Sequence, residues 1–247
     1  IYENLQIQNN IIHSAYESGV KKLLFLGSSC IYPRNASQPM KEEYLLTGEL
    51  ETTNEPYALA KIAGIKMCEN YYRQYDCQFF SLMPTNAYGP NDNYDLKTSH
   101  ALPALIGKIH EAKVSGAKEV TVWGSGKALR EFIYVDDIAS ATVFVMGLDF
   151  SSLYELGITQ LNVGTGEEIS IRELAELISG IVGFSGDLVF DQSMPDGMPR
   201  KVMDVIRIHQ LDWRHKINLE DGLAMTYSSF VENISNESIA EEITLER

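Results

Sequence analysis

The chain has 247 residues, of which 45% are hydrophobic and 22% are charged, so it can bury one substantial core or one core with a smaller lobe. Its formal net charge of −14 disfavours non-specific binding to nucleic acid, because that affinity comes largely from Lys and Arg that neutralise phosphates. The sequence has neither a long apolar run nor the pattern of a secretory signal, so we expect no membrane partner and a cytoplasmic location.

The first half of the chain alternates patterns typical of helix and strand. Apolar residues at helical spacing end at Gly19, and a short apolar run then leads into Gly27 and Ser28, as in a buried parallel strand that ends in a functional loop. The elements predicted here are a helix over 3–19, a strand over 21–26, a long loop over 33–55, a helix over 56–75 and a strand over 78–84.

The second half continues the same alternation after an irregular segment. Ser170 and Glu173 match a capping box at the start of a helix. The elements predicted here are helices over 103–114, 136–147, 171–182 and 219–233, and strands over 119–123, 160–164 and 187–191. The acidic residues 235–247 are predicted to be a frayed tail.

The alternation of strand and helix predicts an α/β fold with a doubly wound parallel sheet. In such a fold, functional loops follow the carboxyl ends of the strands. We therefore expect functional residues in the segments 27–32, 84–89 and 162–166.

Tyr57 and Lys61 are four residues apart in a predicted helix, so they lie on one face of it. A nearby ammonium favours the phenolate form of a tyrosine and would help Tyr57 to exchange a proton with a carbonyl group. The spacing alone is also met by chance on a surface helix. Ser28 at the end of a strand could hydrogen-bond the same carbonyl, although Gly and Ser are equally common in ordinary turns.

Three cysteines, Cys30, Cys68 and Cys77, give an odd number without a C-x-x-C pair. This pattern argues against a disulfide framework and against a thiolate metal site. Any cysteine with a special role would be a reactive one. From composition alone, Cys30 could equally be a buried core residue without a chemical role, and His100 could be a hydrogen-bonded loop residue.

Several segments together resemble the GDP-L-fucose synthases of the extended short-chain dehydrogenase/reductases, over about residues 1–234. The main ones are Gly27-Ser-Ser-Cys-Ile-Tyr-Pro33, Asn54-Glu-Pro-Tyr-Ala-Leu-Ala-Lys-Ile-Ala-Gly64 and Met83-Pro-Thr-Asn-Ala-Tyr-Gly-Pro90. The others are Ser99-His100, Val122-Trp-Gly-Ser-Gly126, Arg130-Glu-Phe, Val135-Asp-Asp137, Asn162-Val-Gly-Thr-Gly166 and Pro195-Asp-Gly-Met-Pro-Arg-Lys201.

The resemblance implies an enzyme that epimerises GDP-4-keto-6-deoxy-D-mannose at C3 and C5 and then reduces C4 with NADPH, and that forms a homodimer. It implies a Rossmann-like NADP-binding domain over 1–90 and 131–164, a smaller substrate-binding lobe over 91–130 and 165–234, and the tail over 235–247. Epimerisation needs a base and an acid beside the ketone.

The resemblance also implies roles for individual residues. The catalytic residues implied are Ser28, Cys30, Tyr57, Lys61 and His100, with Cys30 and His100 as the epimerisation pair and Tyr57 as the proton donor in reduction. The residues implied for the cofactor are Gly27, Ser28, Lys61, Pro84, Thr85, Asn86, Ala87 and His100. The residues implied for the substrate are Lys108, Trp123, Arg130, Asp196 and Lys201.

Two features depart from the family pattern. Lys108 stands where bacterial members tend to have Arg, which keeps the charge but not the bidentate geometry. No G-x-x-G-x-x-G motif opens the chain, although this motif normally holds the cofactor's pyrophosphate. We therefore expect a fragment or a shortened gene product.

The departures leave two alternatives to the leading hypothesis. One is another nucleotide-sugar epimerase or dehydratase, which would share Tyr57 and Lys61 but would not need Cys30 and His100 as a pair. The other is a non-catalytic GDP-sugar-binding or oligomerisation partner.

Overall fold

The computed structural model describes the backbone of residues 1–95 and 98–245, and the side chains of this part up to residue 235. The helices are α1 (Tyr2–Glu17), α2 (Glu55–Tyr75), α3 (Ala101–Ser115), α4 (Val135–Met146), α5 (Phe150–Glu155), α6 (Ile171–Val182), α7 (Ile206–Gln210) and α8 (Leu219–Leu245). The strands are β1 (Lys22–Leu26), β2 (Gln78–Pro84), β3 (Asn86–Tyr88), β4 (Glu119–Trp123), β5 (Leu129–Arg130), β6 (Phe132–Tyr134), β7 (Gln160–Val163), β8 (Ile169–Ser170), β9 (Asp187–Asp191) and β10 (Arg200–Lys201).

The chain forms two compact units, each built from separate segments. The first unit contains residues 1–87, 131–168 and 200–216, and the second contains 88–130, 169–199 and 217–247. The predicted division placed 165–234 in the second lobe, whereas 165–168 and 200–216 pack with the first unit. Sequence order alone could not show that residues 200–216 rejoin the first unit. They do so because α7 packs against β7, which precedes it by some forty residues.

A parallel sheet organises the first unit. Strand β2 lies between β1 and β7 and pairs with both in parallel, with Leu24 opposite Phe80 and Met83 opposite Asn162. Since parallel strands end at the same edge, the loops that follow β1, β2 and β7 converge there. These are the three segments in which the sequence predicts functional residues.

Helices cover both faces of this sheet. Successive side chains of β2 point to opposite faces, and each face packs against helices. Phe79 packs with Ile12 of α1 and Cys68 of α2. Phe80 faces the other way and contacts the Phe150 ring of α5, with 5.0 Å between the ring centroids. The first unit is therefore doubly wound, as the sequence predicted.

In its described residues, the second unit combines strand pairs from two small sheets with the helices α3, α6 and α8. Strands β4 and β9 pair in parallel, β5 and β8 pair antiparallel, and α6 packs against α3 and α8. The predicted capping box is present, since Ser170 Oγ accepts the Glu173 N–H and Glu173 Oε2 accepts the Ser170 N–H. These contacts fix the start of α6.

The structure differs from the predicted elements in three helices. The short helices α5 and α7 were not predicted, because five or six residues show no helical periodicity. Helix α8 continues to Leu245, where the acidic composition had suggested a frayed tail after residue 234. Within the described residues, no helix combines the length and apolar character needed to cross a membrane.

Candidate active site

The loop that follows β1 presents Ser28 and Cys30. A Cβ atom at Gly27 would come within 2.8 Å of Met83 Sδ, so a larger residue here would require the Met83 side chain to move. Ser28 is the N-cap of a 3₁₀ turn over Ser29–Ile31, and its Oγ accepts the Cys30 N–H at 3.2 Å. The cap fixes the Ser28 side chain against the backbone of Cys30.

Helix α2 brings Tyr57 and Lys61 to the same unit. Asn54 is the N-cap residue, and Tyr57 lies in the first turn with 37% of its surface exposed. The Lys61 Nζ is 5.7 Å from the centroid of the Tyr57 ring and donates a hydrogen bond to the Leu26 carbonyl at 2.8 Å. The predicted common face of the two side chains is confirmed.

Burial dominates the ionisation of Tyr57. It raises the pKa of the phenol, a hydrogen bond with the Ser28 side chain lowers it, and negative charge on Cys30 raises it. Burial also lowers the pKa of Lys61. The sequence argument that Lys61 favours the phenolate is therefore outweighed here, and Tyr57 is held as the protonated phenol, which is the form that donates a proton.

Two side chains from distant parts of the sequence approach the Cys30 sulfur. The Lys201 Nζ donates to Cys30 Sγ at 3.4 Å across a separation of 171 residues, and Asn54 Nδ2 donates at 3.9 Å. The resemblance implies a substrate contact for Lys201, and no role for Asn54 follows from the sequence. Asn54 could have been noticed from its place just before the helix that carries Tyr57.

The segment from the end of β2 to the start of β3 holds four of the eight residues implied for the cofactor, Pro84, Thr85, Asn86 and Ala87. The Thr85 N–H donates to the Val163 carbonyl at 2.9 Å, and Asn86 Nδ2 donates to the Glu131 carbonyl at 2.7 Å. Ala87 is exposed. The backbone of this segment is therefore fixed beside β7, and part of its surface is exposed to solvent.

Glu131 is a fully buried residue that ties three loops of the first unit together. Its carboxylate accepts the Gly166 N–H and the Met203 N–H, each at 2.8 Å, and any side chain at Gly164 would collide with it. Burial raises the pKa of this carboxyl, and the hydrogen bonds from the two backbone N–H groups act in the opposite direction. In the sequence Glu131 stands out only as part of the Arg130-Glu-Phe motif, although a lone Glu directly before the apolar strand β6 is itself a signal of a buried acceptor.

Glu131→Gln should lower the free energy of unfolding by about 1–3 kcal/mol, because the amide NH₂ then faces one of the two backbone N–H groups and leaves it without an acceptor. The measurement is chemical unfolding of the wild type and the variant. Glu167→Gln is a matched control, because Glu167 is exposed. Equal losses in the two variants would contradict the role of Glu131.

In the second unit, Arg130 and Asp196 are held together. Asp196 accepts hydrogen bonds from the Ser125 N–H at 2.6 Å and the Ser125 hydroxyl at 2.7 Å, and these lower the pKa of its carboxyl. Arg130 donates to the Met198 carbonyl at 2.7 Å and to the Asp196 carbonyl at 3.3 Å. Burial lowers the pKa of the guanidinium, and the charge of Asp196 raises it.

Lys108 and Trp123 form a second predicted pair in this unit. The Lys108 Nζ lies 4.9 Å from the centroid of the Trp123 ring, which is 61% exposed. The two side chains border an apolar cavity of about 120 Å³, whose other lining residues are Ala101, Ala104, Leu105, Val122 and Ile171. His100 is exposed and is the N-cap residue of α3, and its side chain makes no capping hydrogen bond.

The chain matches known proteins over most of its length. Residues 1–157 match the family described as the NAD dependent epimerase/dehydratase family. The GDP-L-fucose synthase of Escherichia coli (strain K12) is 56% identical over 236 residues, which are 94% of this chain and 74% of that protein. The chain belongs to the NAD-dependent epimerase/dehydratase family.

Two further members of the epimerase/dehydratase family support this assignment. GDP-L-fucose synthase 1 of Arabidopsis thaliana is 57% identical over 233 residues, covering 94% of this chain and 70% of its own length. The crystal structure of a GDP-L-fucose synthetase from Naegleria fowleri bound to NADP matches with a TM-score of 0.85 and 30% identity, over 94% of this chain and 73% of that one. The predicted fold class is therefore confirmed.

Proposed function

We propose that this chain catalyses the NADPH-dependent 3,5-epimerisation and 4-reduction of GDP-4-keto-6-deoxy-D-mannose to GDP-L-fucose. The observation that carries the proposal is the grouping of Ser28, Cys30 and Tyr57 in the first unit, where Ser28 caps the turn of Cys30 and hydrogen-bonds Tyr57. The group combines a phenol that can protonate a ketone oxygen with a thiol that can act as a base. This combination suits an enzyme that both reduces a ketone and epimerises the carbons beside it.

The carboxyl ends of β1 and β2 fit the nicotinamide end of NADP(H). In the described structure Lys61 gives one of its three N–H donors to Leu26, so the others can serve the ribose hydroxyls. When bound, NADPH supplies the hydride for C4. The residues that we propose to hold it are Gly27, Ser28, Lys61, Pro84, Thr85, Asn86, Ala87 and His100.

Tyr57 is the proposed acid of the reduction step. As C4 is reduced, its oxygen gains negative charge and needs a proton, and Tyr57 is held in the protonated form. Ser28 hydrogen-bonds Tyr57 and would orient the same oxygen. Lys61 stabilises the charge that remains on Tyr57 after the transfer.

Cys30 and His100 are the proposed base and acid of epimerisation. The C4 ketone acidifies the C–H bonds at C3 and C5, so a thiolate can remove a proton while the electron pair moves to the ketone oxygen. His100 has an exposed imidazole, and we propose it as the acid that returns a proton to the carbon.

The second unit supplies the proposed contacts for the GDP group. Arg130 suits the diphosphate because a guanidinium binds phosphate oxygens with two N–H groups. Its side chain is already oriented by the Asp196 and Met198 carbonyls. Lys108 and Trp123, with the cavity they border, offer a charge and an aromatic surface to the nucleotide.

The proposal is tested by following NADPH absorbance with the chain expressed together with any coding sequence that adjoins it. NADPH should be consumed when GDP-4-keto-6-deoxy-D-mannose is present, and not with GDP-mannose. Chromatography should identify the product as GDP-L-fucose. Absence of NADPH consumption, or a product with the original configuration at C3 and C5, would refute the proposal.

We also propose that the protein is a homodimer in the cytoplasm. Ile7 and Ile11 lie one turn apart on α1 and are 60% and 57% exposed, and Leu59 on the adjoining α2 is 44% exposed. Two-fold pairing of two such helix pairs would cover these apolar groups. The three free cysteines suit a reducing compartment.

Ile11→Glu should convert this dimer to a monomer, because the pairing would bury an unpaired charge. Sedimentation velocity measures the change. Val143→Glu, at an exposed apolar position of α4, should leave the dimer intact. A monomeric wild type, or a dimeric Ile11→Glu variant, would contradict the proposed surface.

A further inference from the structure

The Cys30 sulfur is approached by two nitrogen donors, and one of them is charged. Lys201 donates from its ammonium at 3.4 Å, and Asn54 donates from its amide at 3.9 Å. Donors that converge on a sulfur stabilise the thiolate over the thiol, and a lysine ammonium does so most strongly. The Cys30 sulfur therefore accepts from two nitrogen donors that belong to separate segments of the chain.

Among the residues that the structure describes, no carboxylate forms an ion pair with Lys201. Arg200, the preceding residue of β10, pairs with Glu168 at 2.6 Å, whereas in the described part of the chain Lys201 has only Cys30 as a side-chain partner. Successive side chains of a strand point in opposite directions, which separates the two cations. Arg200 therefore forms a salt bridge with Glu168, and Lys201 hydrogen-bonds the Cys30 sulfur.

The backbone after Lys201 is fixed by the first unit. The Val202 N–H donates to Gln38 Oε1 at 3.0 Å, the Met40 N–H donates to the Val202 carbonyl at 2.9 Å, and the Met203 N–H donates to Glu131 at 2.8 Å. Val202 and Met203 are both buried. The Lys201 side chain is thus attached to a segment that cannot shift without breaking several hydrogen bonds.

We propose that Lys201 is a positioning residue that keeps Cys30 in its thiolate form for epimerisation, with Asn54 as a second donor to the sulfur. The inference rests on the proposed function, because it takes Cys30 as the base. It differs from the substrate contact that the resemblance implies for Lys201.

The proton balance of the step is simple. The thiolate of Cys30 takes the proton from the carbon beside the ketone, so the C–H bond breaks, an S–H bond forms and the electron pair moves to the ketone oxygen. Lys201 keeps its own proton throughout. A negative Cys30 also raises the pKa of Tyr57, so the thiolate and the protonated phenol that the two steps need are mutually compatible.

The test measures how fast iodoacetamide alkylates Cys30 at neutral pH, with peptide mass spectrometry to separate it from Cys77, which serves as the internal reference. Lys201→Gln should slow alkylation of Cys30 about tenfold, because the reactive species is the thiolate. Lys201→Arg should restore most of the rate, since it returns the positive charge. Arg200→Gln should leave the rate unchanged, because Arg200 pairs with Glu168.

An unchanged Cys30 rate in Lys201→Gln, or an equal loss in Arg200→Gln, would overturn the proposal. If Lys201→Gln unfolds, Lys201→Met carries the same prediction, because it fills a similar volume without a charge. Alkylation needs no substrate, so a chain that shows the rate pattern but makes no GDP-L-fucose would refute the proposed function and leave the Lys201–Cys30 pairing standing.

Discussion

Tyr57→Phe should lower the rate of NADPH oxidation by about 10²–10⁴-fold, which is the usual contribution of a general acid. The variant keeps the ring but loses the hydroxyl that hydrogen-bonds with Ser28 and that we propose to give its proton to the C4 oxygen. Burial raises the pKa of this hydroxyl and keeps it protonated, so it is available as a proton donor, whereas the phenylalanine ring has no proton to give. The measurement is the steady-state loss of NADPH absorbance with GDP-4-keto-6-deoxy-D-mannose.

Tyr2→Phe is the matched control for this variant. Tyr2 is 71% exposed at the start of α1, so loss of its hydroxyl should leave the rate within about twofold of the wild type. Circular dichroism should show the same fold for both variants. A Tyr57→Phe enzyme that retains more than about a tenth of the wild-type rate would show that another group donates the proton.

Cys30→Ser should reduce GDP-L-fucose formation by about 10²-fold or more, because a serine hydroxyl is a far weaker acid than a thiol and stays protonated beside Lys201. Reduction does not use the sulfur. Any product that the variant still makes with NADPH should therefore keep the original configuration at C3 and C5. Chromatography and proton NMR of the sugar nucleotide distinguish the two products.

Cys77→Ser provides the control for the cysteine substitution. Cys77 is partly exposed, and its sulfur donates a weak hydrogen bond to the Tyr75 carbonyl at 3.9 Å. This variant should make GDP-L-fucose at the wild-type rate. GDP-L-fucose formed at the wild-type rate by Cys30→Ser would assign the base to another residue and leave the Lys201 contact without a role in epimerisation.

The sequence predicts well the elements that carry the proposed catalytic residues, because their signals are local. Helix α2 follows from its Pro56 start and its apolar spacing, and β1 follows from an apolar run that enters Gly27 and Ser28. The capping box of α6 is equally local. These signals depend only on neighbouring residues, so the sequence shows them directly.

Contacts between distant segments are the part that the sequence does not reveal. Lys201 meets Cys30 only because β10 returns to the first unit, and Glu131 joins Gly166 to Met203 through two backbone N–H groups. No spacing rule links residues separated by 171 positions. The resemblance pointed to Lys201, but its partner became visible only in the folded chain.

The ionisation of Tyr57 shows the same limit in energetic terms. A lysine four residues away predicts a lowered pKa, because charge and spacing are visible in the sequence. Burial is not visible there, and in the folded protein it raises the pKa of Tyr57. The same pair of residues thus leads to an acid held protonated rather than to a preformed phenolate.

The most direct test of the proposed epimerase/reductase is one reaction carried out in D₂O with GDP-4-keto-6-deoxy-D-mannose and NADPH, with the product identified by NMR. The account predicts GDP-L-fucose that carries deuterium at C3 and C5 and hydrogen from NADPH at C4, with one NADPH consumed for each product. A product with hydrogen retained at both C3 and C5, or product formed without NADPH consumption, would contradict it.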